Sequence, residues 1–137
     1  MLEPIEKHLR PNEVLDPAAD LIVRGWPLTV DGILRNADAT RNRFSRDGEP
    51  FIAISVEVAI PGWDLDAILA GPRLRTRSRY ASAPVGTVQD MGFELLATFV
   101  APHYSVVLPT YTEDVVQRFL DVLGEPIRNP HFIGRRS

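Results

Sequence analysis

Cysteine is absent from this sequence, which excludes disulfide staples and thiolate metal sites. Lysine is almost absent: Lys7 is the only one among 15 basic residues, so the positive charge is carried by arginine. The three histidines, His8, His103 and His131, lie far apart in the chain and offer no spacing for a dedicated zinc site. There is no glycine-rich phosphate loop and no dinucleotide fingerprint, so no cofactor is expected. No apolar run reaches the length of a membrane span. The first twenty residues carry Glu3, Glu6, Lys7, Arg10, Glu13, Asp16 and Asp20 without a signal-peptide core, and the expectation is a cytoplasmic protein without a membrane partner. An excess of positive charge is lacking too. With 18 acids against 15 bases the formal charge is −3, so any basic surface must be local.

What remains is ordinary globular material, 45% hydrophobic and 24% charged over 137 residues. That length suits one domain, able to bury roughly two-thirds of its unfolded surface without staples. Residues 1–20, punctuated by Pro4, Pro11 and Pro17, read as an arm. Residues 21–124 read as the globular domain, and 125–137 as an irregular tail.

Inside the domain, Leu21-Ile22-Val23-Arg24 reads as a first strand. Thr29 reads as the cap of a helix whose apolar stripe is Val30, Ile33, Leu34, Ala37 and Phe44, with Asp31, Arg35, Asn36 and Asp38 facing away. Arg46–Pro50 is a turn. The clearest strand signal follows: Ile52, Ile54, Val56, Val58 and Ile60 share one face, while Phe51, Ala53, Ser55, Glu57 and Ala59 share the other. Asp64 caps a short helix ended by Gly71, and a second short helix starts at Pro84 and stops at Gly92. Phe93–Val100 and His103–Leu108 are spaced for a hairpin, and Thr112 caps a last helix. The pattern predicts an α+β fold: a single-layer mixed, largely antiparallel sheet of about five strands packed with three to four helices.

The most distinctive feature is the run Arg73, Arg75, Arg77 and Arg79, alternating with Leu74, Thr76, Ser78 and Tyr80. Read as a strand, it places four guanidinium groups in a row about 6–7 Å apart. Their repulsion is relieved by a polyanion lying across them, by an acidic protein partner, or by the chain's own carboxylates. An edge strand protected from aggregation by its charges would look the same. His103-Tyr104-Ser105 is the second candidate, since histidine and tyrosine can handle protons. His-x-Ser followed by an apolar residue resembles half of the paired motif of two-histidine phosphoesterases. The second half has no match at His8 or His131.

A third set is Arg24, Ser55 and then Glu57 or Glu94. Their order resembles that of one branch of ADP-ribosyltransferases, in which arginine holds the dinucleotide and glutamate polarises the ribose. The family's Ser-Thr-Ser pattern is replaced here by Ile54-Ser55-Val56, and no paired glutamates close the site. A buried Glu57 would need a partner, which an arginine of the run could supply.

The leading expectation is a small protein that binds or cleaves RNA, or another phosphate-rich ligand. Arg24, Arg73, Arg75, Arg77 and Arg79 would hold the ligand, and His103, Tyr104 and Glu57 would supply any chemistry. A toxin-like component of a toxin–antitoxin pair would fit. A non-catalytic module meeting an acidic protein partner or a second copy of the chain, and an NAD-dependent ADP-ribosyltransferase-like toxin, are the rivals.

Overall fold

The computed structural model describes residues 1–11 and 13–134. Within them the elements run β1 (Glu3–Pro4), a 3-10 helix (Ile5–His8), β2 (Leu21–Gly25), α1 (Val30–Arg41), β3 (Phe44–Arg46), β4 (Glu49–Pro50) and β5 (Ala53–Ala59). They continue with α2 (Leu65–Ala70), β6 (Arg79–Pro84), α3 (Val85–Asp90), β7 (Glu94–Ala97), β8 (His103–Val107), α4 (Glu113–Val122) and β9 (Ile127–Arg128). Six strands form one sheet in the order β7-β8-β5-β2-β6-β9, antiparallel at every pairing. A second sheet, β1-β3-β4, contains a parallel β1–β3 pair. The chain therefore has the α+β fold expected from its sequence, with a small second sheet added. No helix among the described residues is long and apolar enough to cross a membrane.

Local chemistry sets the helix starts where the pattern placed them. The side chains of Thr29, Asp64 and Thr112 accept from the backbone N–H of Gly32, Ala67 and Val115 at 3.1, 2.8 and 3.4 Å. Each satisfies one of the donors that a helix N-terminus leaves unpaired. The alternation of β5 decides the layering. Ile54, Val56 and Val58 pack with Ile33 and Ala37 of α1, Val88 of α3 and Phe119 of α4 in the main core. Each such side chain, fully buried, contributes roughly 1.5–3 kcal/mol. The opposite face is covered only at its two ends. Ile68 and Leu69 of α2 pack with Val23, Leu74 and Tyr80 at one end, and Ile5, Phe44 and Phe51 pack with Ala53 at the other. Between these two clusters the sheet is left open and polar.

Four readings from local pattern are corrected. The lead-in is structured: Ile5 is 1% exposed, and β1 pairs with β3. Phe44 belongs to β3 and not to the helix stripe, because Arg41 already ends α1. The tail adds β9 to the sheet edge and buries Asn129. The arginine run is not a strand. Arg75 N–H donates to the Gly71 carbonyl and Arg77 N–H to the Leu74 carbonyl, so residues 71–77 turn helically and only Arg79 enters β6. Thr76 and Ser78 give the run no apolar face to bury, whereas Leu74 gains the α2 cluster by turning in.

Candidate functional site

The open stretch of the sheet begins where its central pairing fails. β2 and β5 pair over Leu21–Val23 against Glu57–Ala59 and then diverge. Ser55 N–H and C=O, which would have continued the ladder, are taken by side chains instead. Asn36 Oδ1 accepts from Ser55 N–H at 2.9 Å, and Arg24 Nη1 donates to the Ser55 carbonyl at 2.6 Å. Arg24 Nη1 also donates to Asn36 Oδ1 at 2.7 Å, closing a three-residue clamp across the fork. Burial, with Arg77 nearby and only partly offset by Glu57, lowers the Arg24 pKa to about 10, so the group stays cationic at neutral pH.

A cavity of about 430 Å³ fills the mouth of this fork. Four of its lining residues are arginines, Arg24, Arg35, Arg73 and Arg77, and among the described residues that line it Glu57 is the only acid. Arg73 and Arg77 reach it because they are one helical turn apart, which puts them on one side of the loop. The loop can lie this close because position 25 is glycine: a Cβ there would sit 2.8 Å from Arg77 Cγ and 3.0 Å from Leu74 Cδ1. Asn129 braces it from beneath, donating through Nδ2 to the carbonyls of Leu69 and Leu74 at 3.1 and 2.9 Å.

Glu57 stands on the floor, 5% exposed. Its Oε1 lies 3.6 Å from Arg73 Nε, a loose pairing, and its buried Oε2 has no hydrogen-bond partner. Burial pushes its pKa up to about 7 against the pull of Arg73, Arg10 and Arg24. At neutral pH the carboxyl is thus close to half protonated, the condition in which a group both takes and gives protons. A second cavity of about 410 Å³ adjoins the first, sharing Asn36, Ser55 and Arg73. On its floor is His103, opposite Glu57 in the β5–β8 register, with Nδ1 2.8 Å from Thr98 Oγ1. Burial, then Arg73, lowers the His103 pKa to about 4, so its imidazole is neutral. Phe99, in contact with the His103 ring, holds the left-handed φ of 60°, a strained conformation for a bulky residue.

The structure thus gathers Arg24, Ser55, Glu57, Arg73, Arg77 and His103 on one face. Tyr104 leaves the set, since consecutive strand residues point to opposite faces. It lies in the main core and lines a separate cavity with Arg10 and Glu13, its hydroxyl unpartnered. Arg75 and Arg79 do not line the arginine cavity, and Glu94 is spent in a two-pronged surface pair with Arg46 at 2.7 and 2.9 Å. Among the described residues only Arg73 of the run has a carboxylate within 4 Å, so the chain's own acids do not neutralise the run. Arg35 and Asn36 are the lining residues that sequence reasoning assigned to the outer face of α1. An asparagine at the centre of a helix, where it is a poor former, was the available signal.

No group of three histidine, aspartate or glutamate side chains that could hold a metal ion occurs among the described residues. No family model matches the chain, and neither a curated protein nor a solved structure matches it.

Proposed function

We propose that the cleft binds a phosphate-bearing ligand of nucleotide size, a free nucleotide or the end of an RNA strand. The observation that carries this reading is the convergence of Arg24, Arg35, Arg73 and Arg77 on one cavity with a single acid. Guanidinium forks match phosphate oxygens two at a time, and a concave, partly desolvated setting makes each contact stronger than on an open surface. Arg24 is held in place by Asn36 and Ser55 before any ligand arrives, and its Nε and Nη2 have no protein acceptor among the described residues. The arginines surround a pocket and do not form a rail, which favours one or two phosphates over a long polyanion. Any reaction would use Glu57 to move a proton, with neutral His103 and Ser105 beside it as polar supports.

The test is titration calorimetry of the full chain with pyrophosphate, nucleoside diphosphates and a short single-stranded RNA at several salt concentrations. Binding is expected to weaken as salt rises, and Arg77→Ala and Arg35→Ala to flatten that dependence. Absence of salt-dependent binding to all three would overturn the reading.

A second reading is favoured by one specific observation: Arg24, Ser55 and Glu57, the residues ordered as in ADP-ribosyltransferases, line the same cavity. In that version the phosphates belong to NAD and Glu57 addresses the ribose. Release of nicotinamide from NAD by wild type, lost in Glu57→Gln, is its signature.

A further inference from the structure

A fourth cavity, of about 300 Å³, opens on the other side of Glu57 and Arg73, and its character is opposite to that of the arginine cavity. Apart from Glu57 and Arg73, it is lined by Trp63, Ile68, Gly71, Pro72 and residues 100–102, and it is almost wholly apolar. Glu57 and Arg73 line both cavities. Trp63 is no mobile flap: Ile60 N–H donates to the Trp63 carbonyl at 3.0 Å, and Trp63 N–H donates to the Ile60 carbonyl at 2.8 Å. Gly62 makes that turn possible with a φ of +92°. The backbone that carries the indole is therefore pinned beside the slot, and Trp63 stays 37% exposed.

We propose that this apolar slot is the base subsite of the same ligand, taking the flat ring of a nucleoside whose phosphates lie among Arg24, Arg35 and Arg77. The inference rests on the phosphate-binding reading and adds to it which moiety lies where. Charge complementarity fixes the orientation. The anionic end is held by the arginines, the uncharged ring is left to Trp63 and Pro102, and the ribose falls between them at Glu57. A surface this apolar gains little from phosphate, and an arginine cavity gains little from a base, so one ligand carrying both uses both. Aromatic stacking is tolerant of base identity, so the slot distinguishes nucleotide from bare phosphate more strongly than one base from another.

The chain has only two tryptophans, and each cavity has one of them: Trp26 the arginine cavity and Trp63 the apolar slot. In Trp26→Phe, adenosine or uridine diphosphate is expected to quench the remaining Trp63 emission, and pyrophosphate to leave it unmoved. In Trp63→Phe, both ligands are expected to perturb Trp26. By calorimetry on wild type, either nucleoside diphosphate is expected to bind roughly 10-fold more tightly than pyrophosphate, within the range that base stacking supplies. Trp63→Ala should bring that ratio close to one. Val100→Gln, at a rim position 75% exposed and so of little consequence for folding, should lower it as well. If nucleoside diphosphate and pyrophosphate bind wild type equally, or if Trp63→Ala weakens both by the same factor, the base subsite is refuted while the phosphate reading stands. If neither of them nor the short RNA binds wild type, both fall together.

Discussion

Glu57 and His103 face one another across β5 and β8, and burial pushes their titrations in opposite directions. Glu57 is raised from 4.5 to about 7, so its neutral form is favoured in the folded state. Its contribution to stability is fully present below pH 4.5 and is lost as pH rises towards 7. His103 is lowered from 6.5 to about 4, so it also prefers to be neutral, but for a base that contribution is present above pH 6.5 and is lost as pH falls towards 4. Each shift spans about 2.5 pH units, or about 3 kcal/mol at 1.36 kcal/mol per unit. The two slopes share nearly one window and cancel in the wild-type protein. Replacing either residue uncovers the other. Urea unfolding across pH 4–8 should therefore show the stability of Glu57→Gln rising by about 3 kcal/mol relative to wild type between pH 4.5 and 7. His103→Gln should fall by a similar amount relative to wild type between pH 4 and 6.5. Contributions from Glu3, Glu6 and Glu94 are common to all three proteins and drop out of the differences. Curves that run parallel across the whole range would show that the two groups are not desolvated as the structure places them.

Two further outcomes test how the cleft is built. Gly25→Val introduces no charge but drives a side chain into Arg77 and Leu74; pyrophosphate affinity should fall roughly 10-fold, the equivalent of one charge-assisted contact, as read by calorimetry. Asn129→Ala leaves the carbonyls of Leu69 and Leu74 without their donor; unfolding in urea should show a loss of about 3 kcal/mol, and unaltered stability would mean that the tail does not brace the loop.

Much of the frame was legible because its determinants are local. Thr29, Asp64 and Thr112 announce helix starts through their own side chains, and β5 announces itself through a β-branched face of period two. The arginine run misled because period-two charge is not period-two burial. Its conformation is decided by Leu74, which finds the α2 cluster, and by Asn129, far away in sequence. Ile5 was illegible for the same reason, since its partners Phe44, Phe51 and Ala53 lie far along the chain from it. The composition of the site was half visible. Arg24, Glu57 and His103 stood out as polar residues on strands, but that Tyr104 lies on the far side of the sheet from the cleft follows only once its register is known. Arg35 and Asn36 were hard to place because they lie on the polar face of a helix, where a mid-helix asparagine, a poor helix former, was the one sign that separated a residue lining a fork from a solvated one.

The brace under the arginine loop has a consequence for the order in which the protein is made. Residues 71–78 leave the ribosome about fifty residues before Asn129, a delay of roughly 3–10 s at ordinary elongation rates. Throughout that interval Arg73 and Arg77 have no support from beneath, although β2, α1 and β5 have all emerged. A nascent chain would thus carry every arginine that lines the cleft before the segment that props Arg73 and Arg77 has been made.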